Sequence, residues 1–284
     1  MDLHHVALAS HDAGALVDPL VARLAGTVLM GGENIGFRSY QVRLGDAADG
    51  MILEVLEPWG AERFDFLARF LDRHGEGPHH LTFKVKDLEA TLERVRAAGY
   101  TPVGVSLENP RWKEAFLQPR EAHGTVVQLA QAESPFADFA EEWEHLTTTR
   151  FGEPVWWPDP PAPAPRRTVL RRVVMATPAL DAALGFFGGL LGGTPEDAPR
   201  GVGRAADLVW PGGGRVRLEE TPGTTPRVDR LELDAPKPDE LDEPATDEAD
   251  VYEFELAGTR FVVEPPADTA TGAPDAAAGG QSLR

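Results

Sequence analysis

Two His-His pairs occupy matching places in the chain: His4-His5 ahead of Val-Ala-Leu-Ala, and His79-His80 ahead of Leu-Thr-Phe-Lys-Val. Two further polar residues are set into apolar runs: Glu54 in Ile-Leu-Glu-Val-Leu-Glu-Pro and Gln128 in Val-Val-Gln-Leu-Ala-Gln. A polar group so placed costs free energy unless it is hydrogen-bonded or coordinates something. Imidazole nitrogens with carboxylate and amide oxygens make a suitable shell for one divalent ion such as Zn, Co, Ni, Mn or Fe. The chain has no cysteine, which removes thiolate ligands, cysteine nucleophiles and disulfides. On a regular strand neighbouring side chains point to opposite faces, so one histidine of each pair is expected to face a shared cleft. Singly, each residue has an ordinary reading as a hydrogen-bonded strand-end histidine, a cleft-lining charge or a satisfied amide. Their joint recurrence favours a metal site.

The elements that must position these residues also recur. Residues 3–9 alternate as a half-buried strand does, and Leu16, Val17, Leu20, Val21 and Leu24 then follow at helical spacing up to Gly26. Strand-like runs over 27–30, 37–44 and 51–56 complete the unit. A short helix with Phe64, Leu67, Phe70 and Leu71 on one face ends at Gly75, and the order restarts. Residues 80–85 read as a strand, 87–98 as an amphipathic helix, and 101–105, 114–118 and 125–130 as strands. The spacing predicts an internal duplication of about sixty to seventy residues.

Residues 133–167 interrupt this rhythm with an acidic piece and then a proline-rich connector through Trp156 and Trp157. Beyond it, Leu170-Arg171-Arg172-Val173 can be laid over Leu3-His4-His5-Val6, and 215–220 mirrors 51–57. Residues 228–233 and 258–263 read as remnants of a fourth unit, with an acidic loop over 234–250 in place of its helix. At ligand-equivalent places this half offers Arg172, Leu218, Arg230 and Val262, which form no metal shell. It is expected to serve as a scaffold, a dimer surrogate or a lid. The expected division is a metal-binding paired domain over 1–132, a linker over 133–167, a degenerate paired domain over 168–266 and a disordered tail over 267–284.

Composition narrows the partners. With 284 residues and 42% apolar content, the chain can bury ordinary cores. Its 27 basic and 46 acidic residues give a formal charge of −19, which repels nucleic acid and anionic membrane surfaces. No signal peptide and no membrane-length apolar run is present, so a cytoplasmic protein with a small-molecule substrate, monomeric or homodimeric, is expected. The glycines at 212–214 follow Pro211 without a helix behind them and read as a hairpin turn, not a phosphate cradle.

Three stretches carry a resemblance to a known family. They are Phe70-Leu71-Asp72-Arg73-His74-Gly75-Glu76-Gly77-Pro78-His79-His80-Leu81, Phe116-Leu117-Gln118-Pro119-Arg120, and Gly124-Thr125-Val126-Val127-Gln128-Leu129. Through them residues 1–132 resemble the vicinal-oxygen-chelate superfamily of glyoxalases, extradiol dioxygenases and small-molecule resistance proteins, and within it methylmalonyl-CoA epimerase. The resemblance implies an α+β fold of paired βαβββ modules, here as two tandem domains with the second degenerate. It implies one divalent metal held by His5, Glu54, His80 and Gln128. It further implies a metal-dependent isomerase, epimerase or lyase acting on an acyl-CoA thioester such as methylmalonyl-CoA, or on a 2-oxo acid, through an enolate. Glu33 and Glu54 are the expected catalytic residues, and Lys113, Arg120 and His123 are expected to meet a phosphate or carboxylate. One departure stands out: the family's last-strand glutamate is Gln128 here, with the carboxylate at Glu54. Alternatives are a non-haem iron oxygenase of the same superfamily and a metal-free small-molecule binding or resistance protein.

Overall fold

The computed structural model describes residues 1–34, 36–46, 51–62, 64–109, 112–132, 168–196, 203–235 and 251–264. The expected linker over 133–167, nearly all of the acidic segment over 234–250 and the tail over 267–284 lie outside the described residues.

The first sheet is built from two copies of one unit. The first copy comprises β1 (Asp2–Ala9), α1 (Ala13–Ala22), β2 (Thr27–Asn34), β3 (Gly36–Leu44) and β4 (Met51–Trp59). A connecting helix, α2 (Phe66–His74), leads to β5 (Gly77–Lys84), α3 (Leu88–Ala97), β6 (Val103–Ser106), β7 (Trp112–Leu117) and β8 (Val126–Ala132). Both long helices start the same way: Asp12 accepts the N–H of Ala15, and Asp87 accepts that of Ala90. Leu16, Val17, Leu20 and Val21 of α1, and Leu88, Leu92 and Val95 of α3, are buried in the main core. Full burial of each such side chain contributes about 1.5–3 kcal/mol. These helices cover one face of the sheet. On the other face α2 caps one end, packing Leu67 and Leu71 on Ala7, Ala9 and Leu56.

The strand order β2-β3-β4-β1-β5-β8-β7-β6 sets the two βαβββ units side by side, joined where β1 runs antiparallel to β5. That pairing holds two bulges. The register steps from Leu3 to His5 opposite Phe83 and Thr82, leaving His4 as the extra residue of β1. It steps from His80 to Pro78 opposite Ala7 and Leu8, leaving His79 as the extra residue of β5. The first histidine of each pair therefore sits in a bulge, and simple alternation does not describe these sites. Both rings of each pair meet edge to face, with centroids 5.1 Å apart.

The second sheet contains β9 (Val169–Thr177), β10 (Thr194–Glu196), β11 (Ala205–Val209), β12 (Arg215–Glu220), β13 (Arg227–Asp234), β14 (Tyr252–Leu256) and β15 (Thr259–Glu264). Between β9 and β10, α4 (Leu180–Leu184) runs on into one π-helical stretch (Gly185–Leu190). The order β10-β11-β12-β9-β13-β15-β14 repeats the first sheet's plan with one strand fewer among the described residues. Two tandem paired-module sheets, the second degenerate, make an α+β fold.

The sheets share one apolar core. Phe83 meets Trp210 at 5.2 Å, Tyr100 meets Phe186 at 5.2 Å, and the Trp210 indole donates to the Leu191 carbonyl. Backbones also approach closely: Gly124, with φ +90°, lies against Pro226, and a Cβ there would fall 1.8 Å from its carbonyl oxygen. The glycines at 212–214 form the β11–β12 turn, where the Gly212 N–H donates to Asp2.

Candidate metal centre

Four adjacent strands, β4-β1-β5-β8, carry the candidate ligands. His5 is in register with Thr82, and Ala7 lies between Glu54 and His80. His5 Nε2 is 3.3 Å and His80 Nε2 3.6 Å from Glu54 Oε2. One ligand atom from each residue lies within 4.8 Å of the others, while His5 and His80 are buried. Burial alone would raise the Glu54 pKa, but the charge of and hydrogen bond with His5, with help from His80 and Gln41, bring it down to about 2. Burial first, and then His79, push the His80 pKa well below 6.5. The group thus presents a carboxylate anion and a neutral imidazole, which are the protonation states a divalent cation requires. His80 Nε2 is buried without a hydrogen bond. This orphaned nitrogen beside a carboxylate and a second imidazole fits a metal.

Gln128 adjoins this group from β8. Its Oε1 accepts the Thr82 hydroxyl at 2.5 Å, and its Nε2 donates to Glu114 Oε2 at 2.7 Å. The Thr82 hydroxyl is also 2.7 Å from His5 Nε2. Thr82 and Glu114 escaped the sequence reading because a threonine in a strand and a glutamate in an alternating run are ordinary. The repeat that exposes His5 and His80 gives no sign of either. Lys84 was missed for the same reason. It follows Thr82 on the same face of β5, and burial, partly offset by Asp2, lowers its pKa to about 8.

The remaining expected site residues are placed elsewhere. Glu33 is in register with Arg38 and, through it, with Glu57, which accepts the Ala13 N–H at the start of α1. Glu33 therefore lies on the α1 face and Glu54 on the other, so strand parity does not bring the expected base, Glu33, together with the expected ligand or base, Glu54. Lys113 is likewise on the helix side, 3.5 Å from Glu89 of α3. His123 has φ +54° and packs on Phe186 and Phe187 at the seam between the sheets. Arg120 alone of these three borders the cleft region. With Arg69, Arg73, His74, Phe66, Phe70 and His79 it lines a 580 Å³ pocket beside α2.

The second sheet reproduces the backbone of the site with other chemistry. Arg172 is in register with Glu232, as His5 is with Thr82. Val174 lies between Arg217 and Arg230, as Ala7 lies between Glu54 and His80. Register thus assigns the Glu54 position to Arg217, not to Leu218, which is buried in the apolar core. The buried Glu232 holds Arg172 at 2.6 Å and Arg230 at 2.8 Å, and Asp207 holds Arg217 at 3.1 Å. Both bulges are kept, with Arg171 and Asp229 as the extra residues. An arginine cluster with its own counter-ions binds no cation.

Residues 4–116 match the family model of the Glyoxalase/Bleomycin resistance protein/Dioxygenase superfamily. The match runs from β1 into β7 of the first sheet. The matched segment contains His5, Glu54 and His80 and ends before Gln128. Among solved structures, a hypothetical protein from Staphylococcus aureus shares the fold across both sheets. It is 9% identical, covers 93% of this chain and 98% of its own, and has a TM-score of 0.61. A Streptomyces coelicolor methylmalonyl-CoA epimerase variant in complex with 2-nitronate-propionyl-CoA is 26% identical over 48% of this chain and 99% of its own, with a TM-score of 0.42. Methylmalonyl-CoA epimerase from Mycobacterium tuberculosis is 22% identical over 48% of this chain and 91% of its own, also at 0.42. No curated protein matches the chain. Among the described residues no helix is long and apolar enough to cross a membrane.

Proposed function

We propose that the matched domain is a divalent-metal-dependent enzyme that moves a proton next to a carbonyl, acting on an acyl-CoA thioester or a 2-oxo acid. The observation that carries this reading is the convergence of His5, Glu54 and the unbonded His80 Nε2 from two modules onto one buried point. His5, Glu54 and His80 would hold the ion, with the Gln128 carbonyl oxygen as a fourth donor. When bound, the ion polarises a carbonyl and stabilises the charge that develops on its oxygen.

Glu54, held near 2, is a poor proton acceptor and a good ligand. Lys84 is the better candidate for proton exchange, because it shares the face of His80 and Thr82 and its pKa of about 8 is close to neutral working conditions. The pocket walled by Arg69, Arg73 and Arg120 suits a substrate phosphate or carboxylate, beside His79 and hence beside the centre. The second sheet would act as scaffold, closing the back of the first through their common core.

Elemental analysis of wild type and His80→Ala tests the reading first. About one divalent ion per chain, lost in the variant, is expected, followed by α-proton exchange into deuterated solvent with acyl-CoA substrates. A wild type that takes up no metal on reconstitution overturns it. A second reading, an iron oxygenase, is favoured by the two-histidine, one-carboxylate group itself and by Gln128 being engaged with Thr82 and Glu114. Oxygen uptake by the iron(II)-loaded protein, without proton exchange, would select it.

A further inference from the structure

The geometry points to Glu114 as a positioning residue that fixes which end of the Gln128 amide faces the metal-binding group, with Thr82 securing that end from the other side. The inference rests on the metal-centre reading above and adds the residues that decide what Gln128 can donate.

An amide side chain has a carbonyl end that accepts and an NH₂ end that donates, and the two differ little in shape. Its orientation in a buried site is therefore set by its neighbours. Glu114 Oε2 receives two N–H donors, the Trp112 indole at 2.8 Å and Gln128 Nε2 at 2.7 Å. A flipped Gln128 would turn its carbonyl against that carboxylate, an acceptor facing an acceptor, while a hydroxyl at Thr82 can serve either end. Glu114 thus supplies the asymmetry. Trp112 in turn holds Glu114 in place, two residues along the same strand.

The consequence falls on the other end of the amide. Gln128 Oε1 has two lone pairs, and Thr82 occupies one of them. Thr82 is completely buried and also touches His5 Nε2, so it ties the amide oxygen to the histidine of the opposite module. Gln128 accordingly presents an oxygen, not an NH₂ group, to the centre. The negative charge that a last-strand glutamate would bring stands one residue further out, on Glu114. The equivalent of Thr82 in the second sheet, Glu232, is likewise a hub, joining Arg172 of the neighbouring β9 to Arg230 of its own strand.

Two measurements on the full-length protein test this. In the metal-free protein, proton NMR should show a nuclear Overhauser contact between the Trp112 indole proton and one Gln128 amide proton, because both donate to the same oxygen. Glu114→Met should abolish that contact. In the cobalt(II)-loaded protein, Glu114→Met should change the visible ligand-field spectrum and weaken cobalt binding about 10- to 100-fold, as loss of a residue that orients a ligand does. Glu114→Gln, which keeps an acceptor without charge, should fall between. Should Glu114→Met fail to fold, Thr82→Val and Thr82→Ser read the same oxygen from the other side: valine should alter the cobalt spectrum and serine should restore it. A missing contact in the wild type, or a cobalt spectrum indifferent to all four variants, overturns the inference. A wild type that binds no cobalt overturns the proposed function instead, while the metal-free contact still decides the orientation of Gln128.

Discussion

The Nδ1 atoms of His79 and His80 lie 2.8 Å apart, so one proton sits between them and one ring must accept it. The same distance separates Nδ1 of His4 and His5. A histidine that offers Nε2 to a cation keeps its proton on Nδ1 and donates it. His79 suits the accepting role, because burial lowers its pKa to about 4 and keeps it neutral at ordinary pH. His79→Phe is expected to weaken metal binding by about 10- to 100-fold, measured by chelator competition. His4→Phe should do the same from the other module. Unchanged affinity in both would reduce the pairs to packing.

Glu54 is the carboxylate of the three-residue group, so Glu54→Gln should cost far more metal content and activity than Gln128→Glu. The second change sets a new carboxylate against Glu114, whose Oε2 is 2.7 Å from Gln128 Nε2. Two carboxylates so close share a proton, and one pKa rises. The Gln128→Glu protein should therefore regain metal as pH rises, an effect visible in a titration of bound metal against pH. The opposite ranking of the two variants would place the working carboxylate on β8.

Lys84 has a folded-state pKa of about 8 against an ordinary 10.5, so the folded protein holds its proton less tightly than the unfolded chain. The penalty is fully present below pH 8 and fades as pH rises through 10.5. Lys84→Met should therefore raise the melting temperature at pH 7, with a ceiling of about 3 kcal/mol before solvent screening reduces it. The gain should vanish near pH 10.5, and proton exchange should fall while metal content holds. A variant that is less stable at neutral pH would show that the lysine's contacts outweigh its burial.

Gly124 tests the seam between the sheets. Gly124→Ala must both adopt a left-handed backbone and push a methyl group into the Pro226 carbonyl. A loss of about 2–4 kcal/mol is expected in chemical denaturation. Gly213→Ala is the control, since its φ of +88° carries similar strain with no atom within 4 Å. Equal losses would remove the close approach as the cause.

Much of the fold was legible because it repeats. The helices carrying Leu16 and Leu20, and Leu88 and Leu92, show their period plainly, and the matched histidines mark equivalent strands. What stayed hidden depends on pairing between distant strands. No local pattern announces that His4 and His79 are bulge residues, since a bulge exists only relative to a partner strand. Parity likewise sent Glu33 to the far face, and the register of β12 against β9 moved the Glu54 equivalent from Leu218 to Arg217. Thr82 and Glu114 form part of the site through hydrogen bonds across strands 46 and 14 residues apart in sequence.

The bulges at Arg171 and Asp229 adjoin arginines, Arg172 and Arg230, where those of the first sheet adjoin histidines, His5 and His80. Backbone shape and side-chain chemistry are thus separable in this chain: the second sheet is the same mould with a different casting. Arg172→His, Arg217→Glu, Arg230→His and Glu232→Thr would rewrite the side chains without asking the strands to move. The protein therefore contains, in its own second half, the blank against which the contribution of side chains to the candidate metal centre can be measured.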